Sequence, residues 1–119
     1  MAGLNWVRVD AALARNHKTL ALLGQKGGDR ALNTYVFGLG HSAEQGTDGF
    51  IPTAALGLIH GTPKTAEMLI EVGLWNPIPG GWNINDYAEY QPSDEESQKR
   101  ADKARRAAEV RWSKRQASK

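Results

Sequence analysis

Residues 53–73, TAALGLIHGTPKTAEMLIEVG, decide the fold because they contain two helical runs separated by a short glycine-containing turn. Thr53 is the expected cap of the first run, and Gly61 ends that run. Thr62 followed by Pro63 predicts the start of the second run, since proline is favoured at the first helical position. Two helices joined by such a turn are typical of a helix-turn-helix. The expected core face of the second helix is Ala66, Leu69, Ile70 and Gly73.

Short strands are predicted on both sides of this unit. Asp-Gly at 48–49 predicts a tight turn, and Phe-Ile at 50–51 predicts a strand after it. Two further strand candidates lie at 74–75 and 82–84, and the proline- and glycine-rich residues 76–81 predict a loop between them. Such a hairpin, directly after a helix-turn-helix, would be the wing of a winged helix.

The N-terminal part predicts a brief strand and a first helix. Residues 6–9, WVRV, alternate in polarity and predict an edge strand. Asp10 is the expected N-cap of a helix that stops at Gly24. The expected core positions of this helix, at helical spacing, are Leu13, Leu20 and Leu23.

A central helix is predicted next, with Asp29 as its cap. Gly38 and Gly40 each lower helix propensity by roughly 1 kcal/mol relative to alanine, so we expect close packing against a neighbouring helix at these positions. The core-facing stripe is expected to be Leu32, Tyr35, Val36, Leu39 and Ala43.

The charges divide the chain at Pro92. Residues 1–92 contain six Lys and Arg against eight Asp and Glu, whereas residues 93–119 contain nine against five, so the net charges are −2 and +4. Ser93 and Glu96 match the capping-box pattern at a helix start. The sequence therefore predicts a winged helix-turn-helix domain over 1–92 and a basic C-terminal helix or tail over 93–119. The fold class is mainly α with a small β-hairpin.

The tail is the strongest candidate for a polyanion-binding surface. If it is helical, six cations fall within an arc of about 140°. Arginine can also hold a phosphate with two hydrogen bonds. For this reason Arg105, which lies outside the arc, and Arg115, near the end of the chain, are added to the six. The predicted nucleic-acid-binding residues of the tail are Lys99, Arg100, Lys103, Arg105, Arg106, Arg111, Lys114 and Arg115. A solvated charged tail without a ligand is the alternative.

Several segments carry a family resemblance: WVRVD followed by HKTLALL, DGFIP, VGLW leading into GGWNIND, and YAEYQ. In this order, over roughly residues 5–91, they resemble the N-terminal winged-helix domain of phage replisome organiser proteins. The resemblance implies a phage or prophage protein that binds origin DNA or helps load the replication machinery, without catalysis. The chain departs from the family by lacking a helicase- or loader-interaction domain after Pro92. A small phage regulator of transcription is therefore an equal alternative.

In a helix-turn-helix, the N-terminal residues of the second helix approach the major groove of double-stranded DNA. This nominates Thr62, Lys64, Thr65 and Met68 as DNA-contacting residues. Met68 is expected to point away from the core. The hairpin has no Lys or Arg over 74–84. Trp75 and Trp82 fit core or cross-strand partners better than bases.

A second hypothesis assigns the same helix to protein recognition. Glu67 and Glu71 would repel phosphates, so the helix would instead engage a host or phage replication or transcription protein. Homodimerisation is usual for readers of DNA, and a homodimer is a further open alternative.

Other classes of function are not expected. The chain has no cysteine and no apolar run that could span a bilayer, so we expect a cytoplasmic protein without disulfides or a membrane partner. The three histidines lack the spacing of a zinc site, and GQKGG at 24–28 lacks the pattern of a phosphate-binding loop. We therefore expect no metal, no cofactor and no enzymatic activity.

Overall fold

A computed structural model describes residues 3–91 together with Lys103, Arg106 and Val110. Within residues 3–91 the α-helices are α1 (His17–Leu23), α2 (Gly28–Gln45), α3 (Pro63–Glu71) and α4 (Tyr87–Tyr90). Two 3-10 helices lie at Leu13–Arg15 and Thr53–Ile59. The strands are β1 (Phe50–Pro52), β2 (Trp75–Ile78) and β3 (Gly81–Ile84). The fold is mainly α-helical with one small three-stranded antiparallel sheet in the order β1-β3-β2, which confirms the coarse fold class.

The start of α3 follows the sequence signals closely. The backbone N–H of Thr65 donates to Thr62 Oγ1 at 3.2 Å, and the backbone N–H of Thr62 donates to Thr65 Oγ1 at 2.8 Å. These reciprocal bonds form a capping box, and Pro63 occupies the first turn as expected. The expected role of Thr53 as the cap of the preceding helical run is wrong, because its hydroxyl and its backbone N–H both donate to the Gly80 carbonyl at 3.0 Å.

The hairpin is tighter than predicted. β2 and β3 pair from Trp75 opposite Ile84 to Ile78 opposite Gly81, which leaves a two-residue turn at 79–80. Gly80 has a φ of +85°, a conformation that glycine adopts without strain. The prolines of this stretch are accommodated because β2 is an outer strand of the sheet.

The predicted edge strand at residues 6–9 is wrong. The backbone of Arg8 pairs with a side chain instead of a strand: the Arg8 N–H donates to Gln91 Oε1 at 2.9 Å, and Gln91 Nε2 donates to the Arg8 carbonyl at 2.5 Å. One amide side chain thus makes both bonds that an adjacent strand would make. The N-terminal segment is also fixed earlier, where the Leu4 N–H donates to the Ala43 carbonyl at 2.9 Å.

The first helix starts later than expected. Asn16 caps α1, since the backbone N–H of Lys18 donates to Asn16 Oδ1 at 2.9 Å. Asp10 accepts from the backbone N–H of Ala12, also at 2.9 Å, and precedes the 3-10 turn instead. The predicted helix is therefore divided into a 3-10 turn and a short α-helix.

The buried face of α1 also differs from the prediction. Thr19 and Leu22 are fully buried, whereas the expected core residues Leu20 and Leu23 are 58% and 44% exposed. The backbone of α1 at Leu22 lies directly against Gly28 at the start of α2, and this close approach decides which face turns inward.

The central helix α2 is present, but its N-cap and its set of buried residues differ from the prediction. Gly27 is the N-cap in the left-handed conformation, and Asp29 lies in the first turn, where its charge still favours the helix dipole. Leu39 and Ala43 are buried as expected. The first half of the predicted stripe is only half-buried, because small residues line the contacts of α2 with its neighbours. The buried residues of α2 are Gly28, Ala31, Thr34, Gly38, Leu39, Ser42 and Ala43.

Trp75 lies at the centre of the core, where α2, the sheet and the 3-10 helix at Thr53–Ile59 meet. It is fully buried, and a Cβ built on Gly38 would lie 3.4 Å from its Cζ2 atom. Gly38 is therefore closely packed as expected, but its nearest neighbour is a side chain of strand β2 and not a neighbouring α-helix. The same expectation for Gly40 is wrong, because nothing lies within 4 Å of a Cβ built there.

Candidate nucleic-acid interface

The structure separates the four residues nominated at the start of α3. Lys64 is exposed, and Thr62 is half-buried with its hydroxyl oxygen engaged in the helix cap. Thr65 is buried, and its hydroxyl donates to the Thr62 carbonyl at 2.9 Å while accepting from the Thr62 N–H. Met68 is 2% exposed and belongs to the hydrophobic core, so its expected position on the outer face is wrong. Thr65 and Met68 are therefore not available for base contacts.

The outer face of α3 carries more negative than positive charge. Lys64, Glu67 and Glu71 are exposed, which gives one cation and two carboxylates. A phosphate backbone near the C-terminal half of α3 would meet repulsion from both carboxylates. Lys64 at the N-terminal end is the α3 side chain best placed to attract phosphate.

The hairpin offers no charged anchor for phosphate and is held against the body. No Lys or Arg occurs over 74–84. Its turn is fixed by the two hydrogen bonds that Thr53 donates to Gly80, so the turn is not a free arm. Trp75 and Trp82 pack on each other with ring centroids 5.4 Å apart, which confirms their interpretation as core and cross-strand partners.

One cation of the body has a structural role. Lys18 Nζ donates to the Gly73 carbonyl at 3.1 Å, and Asn85 Nδ2 donates to the same carbonyl at 2.6 Å. Both bonds satisfy a backbone acceptor just beyond the end of α3, where a positive charge is favourable. The exposed cations of residues 3–91 are Arg8, Arg15, Lys26, Arg30 and Lys64.

Two of the predicted tail cations are within the described part of the chain. Lys103 and Arg106 are helical and exposed, as is Val110. The spacing i, i+3 and i+7 places these three residues on one face of a helix. Val110 also lies on this face, and because it is uncharged, the pattern of charges did not identify it. The other predicted tail residues lie outside the described residues, namely Lys99, Arg100, Arg105, Arg111, Lys114 and Arg115.

A cleft lies between the N-terminal segment and the sheet, near Lys18, Tyr35 and Asn85. Its volume is about 80 Å³, well below the roughly 300–1,000 Å³ of small-molecule sites. Tyr87 also lines it, and burial raises the pKa of the Tyr87 hydroxyl above its usual value of 10.0. That hydroxyl is therefore protonated and neutral at pH 7.

A second, larger depression has a volume of about 440 Å³. It lies between residues 4–7, one face of α2 and residues 58–60, and we call it the aromatic groove because Trp6, Phe37 and His60 line it. The groove could not be predicted from the sequence, since its three sides come from segments far apart in the chain. The available signal was Trp6, a large aromatic residue close to the N-terminus.

Comparison with protein-family models gives no match, and neither curated proteins nor solved structures give one. Among the described residues, no group of three or more His, Asp or Glu side chains is arranged to hold a metal ion. None of the helices in that same part of the chain is long and apolar enough to cross a membrane.

Proposed function

We propose that this chain is a DNA-binding protein of the winged-helix type that acts in phage replication initiation or transcriptional control and has no catalytic activity. The observation that carries the proposal is the pair Lys103 and Arg106, which are helical and exposed and belong to residues 93–119, whose net charge is +4. Double-stranded DNA is a dense polyanion, and neutralising its phosphates releases counterions. The basic tail is therefore the main source of affinity.

The order of elements in the body supports the winged-helix part of the proposal. A 3-10 helix and α3 are joined by residues 60–62, and the hairpin of β2 and β3 follows α3 directly. In this arrangement α3 would be the recognition helix, with Lys64 nearest to the DNA backbone. The outer face of α3 is net negative, so α3 would add little affinity for DNA. It would serve mainly to orient the protein on the duplex, and binding would depend weakly on the DNA sequence.

Replacing Lys103 and Arg106 together by alanine is expected to weaken binding to a random-sequence duplex. Each lost phosphate contact should reduce the slope of log K against log salt by about 0.9. We therefore expect a slope smaller by about two and the largest loss of affinity at low salt. Fluorescence anisotropy of a labelled duplex over a series of salt concentrations measures both quantities.

The matched control is Arg15→Ala with Lys26→Ala, which removes the same charge from exposed positions of the body. It should change affinity and slope much less than the tail variant. Equal losses in the two variants would mean that net charge alone matters, and an unchanged tail variant would remove the role given to the tail.

A second candidate function is supported by the exposed pair Glu67 and Glu71, which are i, i+4 neighbours on α3. They would bind a basic surface of a replication or transcription protein. Replacing both by alanine should abolish capture of such a partner in a pull-down and leave duplex affinity equal or slightly higher.

Asp29→Ala with Glu89→Ala provides the control for this variant, since both carboxylates are exposed and lie outside α3. Partner capture that survives the Glu67 and Glu71 changes, with duplex binding lost, would contradict the protein-recognition hypothesis.

A further inference from the structure

The aromatic groove is an open depression that is large enough to hold a bound group. Its floor is a stripe of α2 at spacing i, i+3, i+4 and i+7, formed by Phe37, Gly40, His41 and Glu44. Residues 4–7 form one wall, and residues 58–60 form the other. Its volume of about 440 Å³ lies within the usual range for a bound small molecule or a single inserted group.

The groove presents apolar surface that the folded chain leaves uncovered. Trp6 is 50% exposed, Phe37 is 49% exposed and Leu58 is 73% exposed. The His60 ring lies 5.3 Å from the Phe37 ring at an interplanar angle of 59°, so the two rings form a corner. A flat aromatic group that entered this corner would bury ring surface on both sides.

A cation and a carboxylate lie near the groove. The Arg8 guanidinium lies over the Trp6 ring, 5.9 Å from its centre, so this cation is next to the wall formed by residues 4–7, although Arg8 itself lines the smaller cleft and not the groove. Glu44 lies on the floor, with His41 next to it in the stripe. A ligand with a phosphate near Arg8 and an amino-bearing ring edge near Glu44 would match both charges.

We infer that the aromatic groove binds an unstacked, amino-bearing base of single-stranded nucleic acid. Bases of single strands stack on exposed aromatic side chains, while nearby cations hold the backbone. A carboxylate accepts hydrogen bonds from the exocyclic amine of cytosine. The charges favour this ligand over a second copy of the chain, because a nucleotide would place its phosphate near Arg8 and its exocyclic amine near Glu44. This site is independent of the duplex binding proposed above.

Gly40 allows the groove to be filled without disturbing the fold. A Cβ at this position meets nothing within 4 Å, and the residue lies within α2, where glycine is unfavourable. Gly40→Leu is therefore expected to fold and to occupy the floor of the groove. Its affinity for a 12-nucleotide oligo-dC should fall by about tenfold or more, as expected when stacking of a base is lost.

The matched control is Gly57→Leu, since a Cβ there also meets nothing within 4 Å and Gly57 does not line the groove. Its affinity for oligo-dC should equal that of the unchanged chain. Circular dichroism verifies that both variants are folded. Trp6→Ala, which opens the groove rather than filling it, should lose oligo-dC affinity to a similar extent.

Base preference tests the role of Glu44. Oligo-dC should bind more tightly than oligo-dT, which lacks an exocyclic amine, and Glu44→Gln should reduce that preference. Oligo-dC binding that is the same in the Gly40→Leu and Gly57→Leu variants would overturn the inference. Self-association that Gly40→Leu abolishes, without any oligo-dC binding, would assign the groove to a second copy and also overturn it.

Duplex DNA in the same assay separates this inference from the proposed function. Loss of oligo-dC binding in Gly40→Leu with duplex binding unchanged supports a separate base site. Oligo-dC binding that depends on the groove, in a chain that does not bind duplex, would support the inference and reject the winged-helix function.

Discussion

Replacing Trp75 by alanine is expected to lower the free energy of unfolding by about 3–5 kcal/mol, the range observed for large aromatic residues in protein cores. Trp75 is fully buried and packs against Gly38 of α2 and the ring of Trp82. Because glycine at 38 has no side chain to move, the cavity left by the indole cannot be filled from α2. Urea denaturation followed by circular dichroism measures the change.

Two further variants distinguish cavity formation from a general effect of losing a tryptophan. Trp82→Ala removes the half-buried partner, whose site is open to water, and should be clearly less destabilising than Trp75→Ala. Trp75→Phe should also be milder, because the buried Nε1 of Trp75 has no hydrogen-bond partner to lose. A Trp75→Ala loss no larger than that of Trp82→Ala would contradict the central position of Trp75.

Local signals were sufficient to predict the turn at Asp48-Gly49 and the start of α3. The Thr62-Pro63 start of α3 depends on hydrogen bonds between residues three apart, so the sequence contains all the information needed. The Asp48-Gly49 turn is similar, because both residues adopt positive φ angles that Asp and Gly tolerate. In such cases the neighbouring residues alone determine the conformation.

The buried faces of the helices could not be predicted in the same way. α1 has leucines on several sides, and helical spacing does not say which of them meets α2. The structure buries Leu22 rather than Leu20, since the chain at Leu22 lies against Gly28. This contact depends on how two helices approach each other, which the periodicity of a single helix does not contain.

The residues of the candidate sites divide in the same way, into those predictable from the local sequence and those that depend on tertiary packing. Lys103 and Arg106 were predicted from charge spacing within one segment, and both are exposed. Met68 was misplaced because its burial depends on how α3 packs against the rest of the core. The aromatic groove was missed because Trp6 and Phe37 come together only when the N-terminal segment lies across α2.

Gly28→Ala is expected to be the most damaging of the glycine substitutions between α1 and α2, with a loss of about 3 kcal/mol, at the upper end of the usual range for overpacking. An added Cβ would lie 1.8 Å from the Leu22 carbonyl oxygen and 2.7 Å from its carbonyl carbon. These are backbone atoms, which cannot rotate away as a side chain can. The start of α2 and the end of α1 must therefore separate.

The matched substitution Gly24→Ala shows whether the contact, rather than the loss of a glycine, is responsible. A Cβ at 24 would lie 3.4 Å from the Leu20 carbonyl oxygen, which requires only a small adjustment, so the free energy of unfolding should change by less than about 1 kcal/mol. In Gly28→Ala, displacement of α1 should also break the Lys18 bond to Gly73. Faster hydrogen exchange confined to α1 and the end of α3 would identify this displacement. Equal stability of Gly24→Ala and Gly28→Ala would mean that α1 does not dock through the contact of Leu22 with Gly28.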